Sequence, residues 1–316
     1  MKTYVRGYIS SEKNAKKLKK DMRMRFLFML AALLSSSAIA VIIIFISLKG
    51  ISPFMPDYQY GQVNFLDFLF GTLWRKDQGV YGVGFIIINT LVSSFGALLI
   101  SFPLSVLSAL FIVKIAPKKV SAVMTTVVEL LASIPSVVYG LLGILIVNPM
   151  MYKLELMIYH GSKTHQFTGG ANLLSAIIVL AIMILPTLIN ISETALKAVP
   201  DDYRKSSLAL GASKMQTIFK VVVPSAKSGI MSAIVLGVGR AIGEAMAILL
   251  VAGNAVSLPL PFNSVRFLTT AIVSEMGYAS GTHRQVLFTI GLVLFIFIMV
   301  INLVLTYVLK RGDLDE

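Results

Sequence analysis

Arg240 and Glu244 stand inside a run, Gly229 to Asn254, that is otherwise apolar enough for hydrocarbon. A charge at bilayer depth is disfavoured by roughly 2.5–3.5 kcal/mol on insertion scales, so each needs a reason to be there. Their spacing of four predicts one helical face and pairing distance. Glu129, in an earlier apolar run, counts out to about the depth of Arg240 at roughly 1.5 Å per residue and is a second candidate partner. Two roles fit these residues. In one, they neutralise each other as a structural pair or triad. In the other, the planar fork of Arg240 takes an oxyanion and a carboxylate accepts the proton that some oxyanions carry. Gly237, Gly239 and Gly243 surround the charges, and Gly239-x-x-x-Gly243 predicts either close approach of another helix or open space for a ligand.

The elements that must hold these groups are membrane helices. Hydrophobic residues make up 56% of the 316 positions, and the mean hydropathy is +0.83, which excludes a soluble domain. Six runs reach the roughly 20 residues that a helical crossing requires. They fall at about 26–48, 85–113, 121–147, 172–193, 229–252 and 285–309. The expected class is all-α, with six transmembrane helices. With both termini cytoplasmic, 20 of the 28 Lys and Arg lie inside, 7 lie outside, and Arg240 is in a span. That bias fixes the expected orientation. The net charge of +13 is then explained by topology and anionic lipid, with no nucleic acid required. There is no cysteine, so thiol chemistry is excluded. The basic arm of about 25 residues is too long for the first segment of a signal peptide, so the first span is expected to be a retained anchor, and the arm either a helix on the inner leaflet or a solvated tail. Residues 1–50 thus form arm and first span, 51–84 an extracytoplasmic loop, and 85–312 a core.

Pro103, Pro135 and Pro186 each predict a kink in a span, because each removes a backbone donor. Ser101, Ser105, Ser133, Ser136, Tyr139, Thr187 and Asn190 cluster beside them, as helix-to-helix glue or as path lining. The aromatics of the first outer loop, Phe68, Phe70, Trp74 and Tyr81, suit a water–lipid boundary. His160, His165 and His283 fall in outer loops without an acidic or cysteine partner at ligand spacing, so solvated histidines are expected and no metal site. Gly161-Ser162-Lys163-Thr164 has the end of a phosphate-binding loop but not its preceding glycines, so the chain is expected to hydrolyse nothing.

Between the fourth and fifth runs lies a basic insert, Lys197 to Lys227. Pro200 with Asp201 and Asp202 predicts a helix start, Gly211 its end, and Ser213 the cap of a second helix that carries Met215, Ile218, Phe219 and Val222 on one stripe until Pro224. The insert resembles the cytoplasmic EAA loop of ABC-importer permeases: Gly211 and Pro224 keep that family's spacing, and Ala209 and Ala212 fit its small-residue positions. The family's Glu falls here on Lys205, followed by Ser206 and Ser207. Three stretches, Glu129–Gly143, Lys205–Pro224 and Gly237–Asn254, together with Phe68–Gly84, resemble the PstC family of phosphate-importer permeases over about 65–312. The resemblance implies a type I, MetI-like ABC permease in the plasma membrane of a prokaryote. Its partners would be a PstA-like permease, two ATPase subunits holding ATP and Mg, and an extracytoplasmic phosphate-binding protein, with no cofactor in this chain. It also implies a phosphate pathway at Arg240, Glu244, Glu129 and Ser136, and ATPase coupling through Lys205, Ser206, Ser207, Ala209, Gly211, Ala212, Ser213 and Pro224. A permease for sulfate, molybdate or phosphonate is the nearer alternative. An ATP-independent anion carrier is the further one, although the inverted repeats frequent in such carriers are not seen.

Overall fold

In hydrocarbon, backbone groups find partners within a helix, and every long apolar run here is helical. A computed structural model describes residues 2–56, 58 and 62–314, with side chains for Lys17 and for those of them from Lys20 to Tyr307. The helices, in order, are α1 (Lys2–Ile51), α2 (Phe65–Phe70), α3 (Gly84–Leu110), α4 (Lys118–Ser133), α5 (Ser136–Leu142), α6 (Asn148–Ile158) and α7 (Leu173–Ala198). Then come α8 (Asp201–Ala209), α9 (Lys214–Thr217), α10 (Val223–Ser225), α11 (Lys227–Gly243), α12 (Met246–Val251), α13 (Leu268–Glu275) and α14 (Gly281–Leu314). Five-residue π-helical segments follow α3, α5 and α9. A two-residue hairpin of β1 (Trp74–Arg75) and β2 (Val80–Tyr81), turning at Gly79, is the one named sheet among the described residues. The class is therefore all-α.

α7 is the hub because its apolar residues are spread around the helix rather than along one stripe. Leu180, Met183, Ile184 and Leu188 are fully buried, where it packs against α3, α11 and α4. Two small residues bring α11 close: a Cβ at Gly229 would lie 2.5 Å from the Ala195 Cβ, and one at Gly237 2.7 Å from Leu188 Cδ2. This eight-residue repeat makes the close approach that the sequence suggests for Gly239 and Gly243. A Cβ on either of those would meet nothing within 4 Å.

Five helical segments are long and apolar enough to cross a membrane, and a sixth forms if Lys214–Ser225 and Lys227–Gly243, bent by 64°, count as one. Two expected spans have different limits. The run at 121–147 breaks at Ile134, whose backbone is extended, and helix resumes at Ser136 and extends to Ile158. Proline is the cause. Pro135 has no N–H for the carbonyl of Leu131, and that carbonyl instead accepts from the Ile134 N–H at 3.2 Å and the Tyr139 hydroxyl at 2.8 Å. Pro103 and Pro186, by contrast, sit inside unbroken helices. The run at 229–252 stops at Gly243, leaves Glu244 extended at φ −70° and ψ 135°, and restarts as α12.

α1 continues from Lys2 to Ile51 without a break at the start of the apolar run, so the arm is neither a separate surface helix nor a coil. The first loop also differs from a lipid-facing belt. Phe68 and Tyr81 are buried with Val83, Ile86, Leu268 and Leu287, while Phe70 is exposed. Gly71 and Gly82 permit this fold-back, since a Cβ on Gly82 would lie 2.5 Å from the Gly71 carbonyl carbon.

Candidate functional site

Arg240 lies in the last turn of α11 and donates through Nη1 to the Thr187 hydroxyl of α7 at 2.6 Å. No other hydrogen bond or ion pair to its guanidinium occurs among the described residues. The expected pair with Glu244 is not formed, because the helix ends between them and the i, i+4 relation no longer applies. The Glu244 carboxylate turns instead to the first turn of α12, accepting from the Ala247 N–H at 2.9 Å, and its own carbonyl accepts from the Thr269 hydroxyl at 2.5 Å. Glu129 is exposed on α4 and makes no ion pair with Arg240. Ser136 is half-buried just past the Pro135 break, at the start of the segment that carries Tyr139, and Tyr139 is within electrostatic reach of Arg240. The structure thus brings Arg240 to Thr187 and to the Tyr139 region, while a Cβ on its sequence neighbours Gly239 and Gly243 would meet nothing within 4 Å.

Several of the other polar residues serve their own helices. Ser101 donates to the Ala97 carbonyl, Ser105 to Phe102 and Ser133 to Leu130. One buried carboxylate escapes notice in the sequence: Glu193 of α7 accepts from Thr125 of α4 at 2.8 Å and pairs with Lys197 at 2.5 Å, while its Oε2 is buried without a hydrogen bond. The four-residue spacing to Lys197 was a visible signal, whereas the link to Thr125 crosses 68 positions.

Two histidines have the acidic partners that sequence spacing does not reveal. His165 meets the fully buried Glu155 at 2.8 Å and stacks on Tyr159, and Glu155 also accepts from the Thr168 N–H and hydroxyl. His283 meets Glu275 at 3.1 Å, and Glu275 pairs with Arg266 at 2.7 Å. Both clusters brace loops at the end of the molecule away from the insert. Among the described residues no three His, Asp or Glu side chains gather as a metal set.

The insert folds as two short helices at a bend. Asp201 and Asp202 sit in the first turn of α8, and Arg204 hydrogen-bonds Asp201, holding its carboxyl below the usual range. Gly211 adopts φ +84°, and Ser213 forms a full capping box with Gln216. Lys205 turns back to Asp202 at 3.2 Å, and Ser207 shares a hydrogen bond with Thr217 that ties α8 to α9. Ser206 and Ala209 are exposed and Ala212 half-buried. The expected apolar stripe divides in two: Ile218 and Val222 are buried, while Met215 and Phe219 are exposed together with Leu210, which is 90% exposed. Pro224 lies in α10, and the helix turns only after it, at Ala226.

The family model described as "binding-protein-dependent transport system inner membrane component" matches residues 101–312. The chain belongs to that family. It is 36% identical over 296 residues to a probable ABC transporter permease protein, YqgH, of Bacillus subtilis, covering 92% of this chain and 91% of that one. It is 34% identical over 267 residues to the phosphate transport system permease protein PstC of Pasteurella multocida, covering 80% and 83%. A crystal structure of a bacterial ABC transporter involved in import of the acidic polysaccharide alginate shares the fold, with TM-score 0.63 and 20% identity, covering 93% of this chain and 99% of that one. The protein is a multi-pass inner-membrane permease of the ABC-importer class.

Proposed function

We propose that this permease is the membrane subunit of an ATP-driven phosphate importer and forms the translocation path together with a second, PstA-like permease. The observation that carries this reading is Arg240. At membrane depth its guanidinium has one neutral hydroxyl as its partner, which leaves most of its fork for an oxyanion. Glu244, the first residue past the end of the helix that holds Arg240, supplies the acceptor for the proton of monohydrogen phosphate. The similarity to PstC of Pasteurella multocida supports the choice of anion. The insert at 197–227 faces the cytoplasm and docks on a separate ATPase subunit, one of two that hold ATP and Mg. The first loop and the α12–α14 connection face an extracytoplasmic phosphate-binding protein, and both termini are cytoplasmic.

The test is uptake into liposomes by the complete complex, with labelled phosphate, sulfate, molybdate and a phosphonate compared. Phosphate uptake that requires ATP, with ATPase turnover raised by phosphate-loaded binding protein, is the expected result. Uptake of another oxyanion in preference to phosphate would replace the substrate assignment, and uptake without ATP would overturn the ABC coupling.

A further inference from the structure

Hydroxyls in these helices turn back, as a rule, on their own backbone: Ser101 to Ala97, Ser105 to Phe102, Thr194 to Asn190, Ser232 to Ser228. Such bonds are the ordinary way for Ser and Thr to live in a helix. Thr187 departs from that habit. Its oxygen accepts from the Arg240 guanidinium across the α7–α11 interface, and its hydroxyl donates no bond among the described residues.

We propose that Thr187 is the positioning residue of the oxyanion site, holding one arm of the Arg240 fork so that the remaining N–H groups point into the open space beside Gly239 and Gly243. The proposal rests on the reading of Arg240 as phosphate-facing. Three features make Thr187 a rigid post. Its neighbours Met183, Ile184 and Leu188 are fully buried, so α7 cannot turn there. Gly237 packed on Leu188 fixes the separation of α7 and α11 within one turn of Arg240. The β-branched side chain of Thr has essentially two χ1 rotamers open to it in a helix, and the bond to Arg240 selects one of them. An Arg side chain left to itself has several rotatable bonds, and a docking arginine that is already oriented loses less freedom on meeting an anion. A second consequence is chemical: Thr187 holds the guanidinium without neutralising it, which a carboxylate in the same place would do.

The experiment uses the complete complex in liposomes with its ATPase and binding protein, comparing wild type, Thr187→Val and Thr187→Ser. Valine keeps the shape and removes the oxygen; serine keeps the oxygen. Thr187→Val is expected to assemble with a melting temperature within about 4 °C of wild type, to keep its ATPase stimulation within about twofold, and to lose about ten- to a hundredfold in phosphate uptake, the range that one hydrogen bond to a charged group spans. Thr187→Ser is expected to recover uptake to within about threefold. Wild-type uptake by Thr187→Val would overturn the proposal. So would a Thr187→Val complex that fails to assemble or loses stability in step with uptake, since that would mark the bond as structural support. If wild type carries another oxyanion instead of phosphate, the substrate reading fails by itself and the variants are scored on that oxyanion.

Discussion

At the scale of single residues, the charge of Arg240 and that of Glu244 are held apart by one backbone break. A buried pair that loses one partner typically costs about 3–5 kcal/mol, because the survivor is left without compensation. Here each has its own neutral partner, so Arg240→Gln and Glu244→Gln are expected to act independently, with a coupling energy below about 0.5 kcal/mol in a double-mutant cycle on the thermal stability of the complex. A coupling above about 1.5 kcal/mol would restore the paired arrangement. The unusual placement of Arg240 was legible from one line of sequence, since a charge in a run fit for lipid stands out against the desolvation it must meet. Its partner was not. The i, i+4 rule assumes an unbroken helix, and Gly243 next to a Glu that can cap the following turn is a local choice that periodicity does not register. Thr187 was visible only as one polar residue among several beside a proline, 53 positions from the arginine it touches.

At the scale of elements, the insert is where local signals and structure agree best. Proline at its start, carboxylates in the first turn, glycine at the bend and a Ser–Gln capping box all act within four residues, so tertiary context had little to override. Gly211 shows what kind of constraint this is. A Cβ there would meet nothing within 4 Å, so the need for glycine comes from the backbone conformation at φ +84° alone. Gly211→Asn, which tolerates that region, is expected to keep ATPase binding and transport. Gly211→Val, which does not, is expected to reduce both while the chain still inserts in the membrane. Equal behaviour of the two variants in a pull-down of the ATPase and in uptake would remove Gly211 from the coupling role. The aromatic loop went the other way. Phe68 and Tyr81 read as a boundary belt because composition alone cannot distinguish an aromatic that meets lipid from one that fills the gap above three helix ends.

At the scale of the whole molecule, the lack of cysteine makes orientation directly measurable. Single cysteines at Lys118 and Ser213 are expected to react with an impermeant thiol reagent from the cytoplasmic side alone, and one at Lys163 from the outer side alone; the reverse pattern would invert the orientation drawn from the Lys and Arg count. The six-run architecture was legible because hydrocarbon imposes it, while the exact limits of the third and fifth runs depended on Pro135 and Gly243. One geometric feature links this scale to the first. The insert joins α7 to α11, and the two stay in contact from Gly229 on Ala195 to Gly237 on Leu188. The Thr187–Arg240 bond lies 11 residues back from the end of α7 and 13 residues into α11, roughly 16 and 20 Å along them at about 1.5 Å per residue. Two helices clamped at both ends of that stretch move as one bar, so a push on the insert reaches the arginine as a shift of the whole pair and leaves its grip on Thr187 intact.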